Sequence, residues 1–290
     1  MATMNSTLTF DERRRRAQMQ AGKAGIYVFL TVFTLIWLLP VIAAFITSFR
    51  TMDDISMRGF WSLPNELIMR NFVQAWTAAR VSKYLINSFI ITLPSLLGML
   101  FLSSLAAYAL ARYRFKGNLF FYFMFVAGTM LPFQILLLPV FRLTNTLGLY
   151  DTHASLILIH TAFQLGFCTF VLRNFMRTVP ADIMDAARVD GCSEFRIYWQ
   201  IVLPLTLPAL AALATLEFTW VFNDYLWAII LLRSDTLRPV TAGLATLRGQ
   251  YNTDWPVITA GALLATVPTL LVFVFLQRYF IQGLTLGSGK

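Results

Sequence analysis

The chain has 290 residues, of which 58% are apolar and only 13% charged, with a net charge of +9. A soluble domain carries about 25% charged residues, so this chain is too poor in charge to cover a water-facing surface. Its basic residues lie between apolar runs rather than along one face, which excludes a nucleic-acid groove and leaves the charge as a topology signal.

The N-terminal segment 1–23 is polar and carries Arg13, Arg14, Arg15, Arg16 and Lys23. The apolar run that follows is too long for the hydrophobic region of a cleavable signal and lacks a small-residue cleavage site, so it reads as an uncleaved first span. A hydrocarbon core about 30 Å thick needs about 20 apolar residues in helix. Six stretches qualify: 24–46, 84–111, 119–141, 154–175, 205–232 and 257–280. Lipid offers no partner to open backbone groups, and these runs lack the alternation of barrel strands. The expectation is an all-α polytopic membrane protein with six transmembrane helices over 24–280 and a tail at 281–290. With the N-terminus in the cytoplasm, the inner segments hold more of the 23 Lys and Arg than the outer ones, so both termini are expected inside.

Pro40, Pro94, Pro132, Pro139 and Pro268 lie in or near spans, where a bundle tolerates kinks because neighbours satisfy freed carbonyls. No internal repeat is evident, which counts against an ion-coupled carrier built from repeated halves. Six spans are few for a complete pathway, so a partner subunit is expected. Cys168 and Cys192 show no metal-ligand spacing, and His153 and His160 read as structural.

Between the fourth and fifth spans lies a polar stretch, 178–204, that reads as two short helices. Pro180 and Asp182 suit a first helical turn, and Gly191 suits a left-handed stop. Ser193 can cap a second helix with Glu194 in its first turn, and Pro204 precedes the fifth span. Ala186 and Ala187 form a small-sided patch between charges, suited to entering a cleft on another protein or to an ordinary amphipathic loop.

The fifth span holds the acidic residues at membrane depth, Glu217 and Asp224. Buried acids are costly in lipid and face the bundle interior or a water-filled path. They are seven residues apart, about two helical turns, and are expected to share a face. Trp220, Asn223 and Tyr225 complete a polar-aromatic stripe fit for sugar hydroxyls and ring faces. The competing reading is that the acids pair with a partner subunit or cap a kink. The outer loop 233–256 is polar and contains Gly249, Gln250, Tyr251 and Asn252.

Asp185-Ala186-Ala187-Arg188-Val189-Asp190-Gly191, ending in Ile201-Val202-Leu203-Pro204, resembles the signature loop of permeases of ATP-binding-cassette importers. Its first acid is Asp where the family pattern has Glu, one methylene shorter. Nearly the whole chain looks like the second permease of maltose-type carbohydrate importers. The supporting segments are Asn87-Ser88, Ala106 to Phe115, Met130-Leu131-Pro132, Phe222 to Trp227 and Gln277 to Gly287. The resemblance implies a type I importer permease fold in a bacterial inner membrane. It implies a second permease subunit, two copies of a cytosolic ATPase, and an extracytoplasmic binding protein that delivers a sugar or sugar-like solute. It places Asp185, Ala186, Ala187, Asp190 and Gly191 in the helix that docks on the ATPase, and Gly249 to Asn252 against the binding protein. No Gly-x-x-x-x-Gly-Lys-Ser/Thr loop is present, so no cofactor is expected on this chain, and ATP with Mg belongs to the partner ATPase. Polyol or glycerol phosphate are the alternative solutes.

Overall fold

The computed structural model describes the backbone of residues 10–247 and 253–286, and every regular element among them is helical. Helix α1 runs Phe10–Ser48, followed by two short helices, α2 Met52–Arg58 and α3 Arg70–Trp76. Helix α4 is Val81–Arg112. Then come α5 Asn118–Met130, a 3-10 turn Phe133–Leu136, and α6 Leu137–Thr146. Helix α7 is His153–Met176, and the polar stretch forms α8 Ala181–Val189 and α9 Glu194–Ile197. A π-helical turn, Tyr198–Val202, leads into α10 Leu203–Leu205, α11 Leu207–Phe222 and α12 Leu226–Leu231. The chain closes with α13 Val240–Thr246 and α14 Trp255–Leu286.

Four of these helices are long and apolar enough to cross a membrane unbroken: Gly22–Ser48 within α1, α4, α7, and Trp255–Gln277 within α14. The other two predicted spans are bent. Asn118–Met130 and Phe133–Thr146 meet at 89°, and Glu194–Leu205 and Leu207–Phe222 at 70°. The straight span expected over 119–141 is therefore corrected. Pro132 has no amide hydrogen and pushes Leu131 into extended backbone, ψ 126°. Alone, the 13 residues of α5 reach about 20 Å, less than the hydrocarbon core. The fifth span is likewise cut, once before Leu207 and again between α11 and α12.

The core forms where α4 and α7 pack side by side, burying Met99, Leu156, Cys168 and Leu172. Helix α11 packs on both α4 and α14. At one end of the bundle, Asn87 Nδ2 donates to the carbonyls of Thr236 and Arg238, each at 2.9 Å, and Ser88 Oγ accepts the Val240 amide at 2.9 Å. The Tyr84 hydroxyl donates to Asp235 at 2.9 Å. The segment 235–240 is thereby pinned to the start of α4. On the same side of the bundle, Arg50 is buried and donates to Asp54, Gly59 and Ser62, which orders the segment after α1.

Gly243 lies where α13 crosses α4. A Cβ there would run into the Tyr84 ring, which is itself buried and held by Asp235. Overpacking of this kind costs about 1–3 kcal/mol. Gly243→Ala is expected to lower the thermal midpoint of the purified protein, and Tyr84→Leu added to it is expected to restore part of the loss. A Gly243→Ala protein as stable as wild type would contradict this packing.

Asp151, at φ 58°, joins α6 to α7 and reaches across to the end of α12. Its amide donates to the Leu231 carbonyl, and its carboxylate accepts the amides of Arg233 and Ser234, each at 2.9 Å. Burial alone would push this acid up, but the Ser234 hydroxyl and these two amides outweigh it and hold Asp151 below the usual carboxylate range. A depressed folded-state pKa means the staple is fully present above the ordinary carboxylate range and is lost as pH falls through the depressed value. The stability difference between wild type and Asp151→Ala should stay constant from about pH 8 to about pH 5 and shrink only below about pH 4. A difference that already fades near neutrality would rule out this role.

Candidate functional site

Helix α8 follows Pro180, and Asp182 in its first turn complements the positive end of the helix. It stops at Gly191, whose φ of 77° belongs to the left-handed region that glycine enters without strain. There the Cys192 amide donates to Ala187 O and the Gly191 amide to Arg188 O, both at 3.0 Å, the bond pair of a Schellman stop. Ser193 Oγ then accepts the Arg196 amide at 3.4 Å and starts α9.

The two alanines of the signature loop part company. Ala187 is 7% exposed and packs on the bundle with Met184, whereas Ala186 faces away with Ile183, Val189 and Asp190. Neighbouring helical residues are separated by about 100°, so one face cannot hold both. The small patch expected from the pair is therefore corrected: Ala187 lets α8 lie close against the bundle, and only Ala186 belongs to the outward face. Asp185 is exposed and accepts from Arg188 at 2.6 Å.

Glu194, which the sequence marked only as a first-turn residue, joins these pieces. Its carboxylate accepts from Arg188 Nε at 2.7 Å, from the Tyr113 hydroxyl at 2.7 Å and from the Tyr108 hydroxyl at 3.1 Å. Tyr198 and Ser104 share a hydrogen bond of 2.7 Å, and Arg112 donates to Val179 O at 2.7 Å and also to Met176 O. Helices α8 and α9 are thus fastened to the last turns of α4. No sequence spacing links residue 108 to 194, and only the fold brings them together.

At membrane depth, a cavity of about 960 Å³ opens among α5, α7, α11 and the α11–α12 break. Glu217, Trp220, Asn223, Asp224 and Tyr225 all line it. Glu217 and Asp224 reach it from different elements, however, because α11 ends at Phe222. The one-helix face expected from their spacing is replaced by a helix break. Asp224 accepts the amides of Trp227 at 3.4 Å and Ala228 at 3.2 Å, so its side chain caps α12 instead of continuing α11. Asn223 Nδ2 returns to Thr219 O at 2.8 Å. Trp220 and Tyr225 are exposed, while Trp227 is buried against Phe163, ring centroids 5.4 Å apart.

His160, to which the sequence reading gave no role, is 3% exposed and lines the same cavity. Its Nε2 has no hydrogen-bond partner and stands 3.6 Å from the Asp224 carboxylate. Glu217 is 2% exposed, and its Oε2 is also unpartnered. Polar atoms buried and unpaired in this way are costly unless a ligand or water meets them. A ring nitrogen in the middle of an apolar run was the available signal for His160. Among the described residues no three His, Cys, Asp or Glu converge as metal ligands. Gly249, Gln250, Tyr251 and Asn252 lie outside the described residues.

Residues 99–286 match the family described as binding-protein-dependent transport system inner membrane component. The chain is 37% identical over 254 residues to the arabinooligosaccharides transport system permease protein AraQ of Halalkalibacterium halodurans, covering 87% of this chain and 90% of that one. It is 34% identical over 275 residues to the osmoprotective compounds uptake permease protein GgtD of Synechocystis, covering 92% of each. In fold it is similar to a solved bacterial ABC transporter involved in the import of the acidic polysaccharide alginate, with a TM-score of 0.80 at 22% identity over 95% of this chain and 100% of that one. The chain is thus a multi-pass membrane protein and a transport component rather than an enzyme, and it belongs to the family of inner-membrane components of binding-protein-dependent transport systems.

Proposed function

We propose that this chain is one of two permease subunits of an ATP-driven importer, and that it passes a sugar or sugar-like solute delivered by an extracytoplasmic binding protein. Both termini are cytoplasmic in this reading, with segment 1–23 and the tail 281–290 on the inner side of the 24–280 domain. ATP and Mg are used by two copies of a separate ATPase, which dock on the outward face of α8 through Asp185, Ala186, Asp190 and the turn at Gly191. Gly249, Gln250, Tyr251 and Asn252 meet the binding protein.

The observation that carries the reading is the cavity. It pairs exposed Trp220 and Tyr225 with unpartnered acceptors and donors on Glu217 and His160, as a hydroxyl-rich ring requires. The arabinooligosaccharide relative supports a saccharide. The osmoprotectant relative supports a second reading, a neutral polyol, by similarity of sequence alone. Among the described residues no Lys or Arg lines the cavity, which counts against glycerol phosphate. The test is solute uptake into proteoliposomes holding this chain, its partner permease, the ATPase and the binding protein. Uptake should require ATP and survive a proton uncoupler. Concentrative uptake by this chain alone, or its collapse by the uncoupler at constant ATP, would refute the assignment.

A further inference from the structure

A second recess, about 970 Å³, lies at the α8 end of the bundle. It is walled by the end of α4, the turn 113–117, the start of α5, the last turns of α7 and one side of α8. Six cations line it, Arg112, Arg114, Lys116, Arg173, Arg177 and Arg188, against one acid, Asp185. Three of the six are already engaged. Arg188 holds Asp185 and Glu194, Arg112 donates to backbone carbonyls, and the buried Arg173 donates to Leu110 O and stacks 3.8 Å above the Tyr122 ring. Arg114, Lys116 and Arg177 are exposed, and no described acid lies within ion-pair distance of any of them.

We propose that this recess holds the headgroup of an anionic phospholipid. So many like charges around one hollow, at the edge of a low-dielectric slab, repel one another unless an anion sits among them. Basic pockets between helices on the inner side of a membrane suit acidic headgroups. The lip of the recess chooses between kinds of anion. It runs directly into the outer face of α5, where Leu119, Phe120 and Phe123 are 61%, 68% and 56% exposed. A free phosphate has no use for that apolar strip, whereas a phospholipid lays its chains along it. The recess and the proposed docking face of α8 share only Asp185, at their border: Ala181, Met184 and Arg188 also line the recess, whereas Ile183, Ala186, Val189 and Asp190 do not. Naming the leaflet as cytoplasmic rests on the orientation proposed above, but the site itself does not.

The experiment titrates the detergent-solubilised complex, with its partner subunits, with phosphatidylglycerol or phosphatidylethanolamine and counts retained lipid by native mass spectrometry. Phosphatidylglycerol should be retained in preference. Arg114→Gln, Lys116→Gln and Arg177→Gln change exposed side chains and should fold normally, each weakening retention by about fivefold. Arg196→Gln removes a charge near the same end but outside the recess and should change nothing. Equal retention of the two lipids, or an equal loss in Arg196→Gln, would mean diffuse attraction and overturn the proposal. So would displacement of the lipid by excess inorganic phosphate, or its exclusion once the ATPase is bound. Failure of the unaltered complex to retain phosphatidylglycerol while its ATP-driven uptake persists refutes this inference alone, and uptake absent from the unaltered complex refutes only the transport reading.

Discussion

Replacing Glu194 with alanine should cut solute uptake per ATP hydrolysed by about tenfold while the complex still assembles. The outward face of α8 is untouched by this change, so the ATPase keeps its docking surface. What disappears is the link from α8 to the membrane: Arg188 loses its tie to Glu194, and Tyr108 and Tyr113 lose their shared acceptor. The Glu194 side chain is 43% exposed, so each lost bond is discounted for solvent to about 0.5 kcal/mol. Three such bonds amount to roughly one decade. Glu194→Gln keeps an acceptor for the tyrosines but loses the charge facing Arg188, and should fall between the two. ATP hydrolysis stimulated by the solute-loaded binding protein, measured beside uptake in the same proteoliposomes, gives the ratio. An unchanged ratio in Glu194→Ala would show that force reaches the spans by another route.

Asp224→Ala should lower uptake by about a hundredfold. The carboxylate caps the Trp227 and Ala228 amides at the start of α12 and faces His160 across 3.6 Å. Without it, two buried donors lose their acceptor at about 1–2 kcal/mol each, in a setting where lipid cannot replace it. The helix break that shapes the cavity then has nothing to hold its second half. Asp224→Asn keeps an oxygen for the amides and removes only the charge, so a loss of about tenfold is expected. Comparing the two variants separates the cap from the charge. Wild-type uptake by Asp224→Ala would remove this residue from the pathway.

The membrane class was legible in the residues because it depends on the length of apolar runs and on the low proportion of charge, both local sums. The same holds for α8: Pro180, Asp182 and Gly191 act on their own turns, and the structure has the helix between them. The bends are a middle case. Pro132 was visible, yet the 89° turn after α5 depends on neighbours able to accept two short helices in place of one.

Glu194, His160 and the two sides of α8 were not legible, because each gains its role from chain more than fifty residues away or from a difference in facing. Tyr108 meets Glu194 across 86 positions, and His160 meets Asp224 across the α7–α12 boundary. By itself the sequence determined that this chain spans a membrane as helices and carries a short stopped helix beside it, since helix length, caps and hydropathy are properties of consecutive residues. Only the tertiary structure decided which polar side chains are left unpartnered around one cavity and which carboxylate ties the short helix to the spans. Those are properties of surfaces that exist only after the helices have packed.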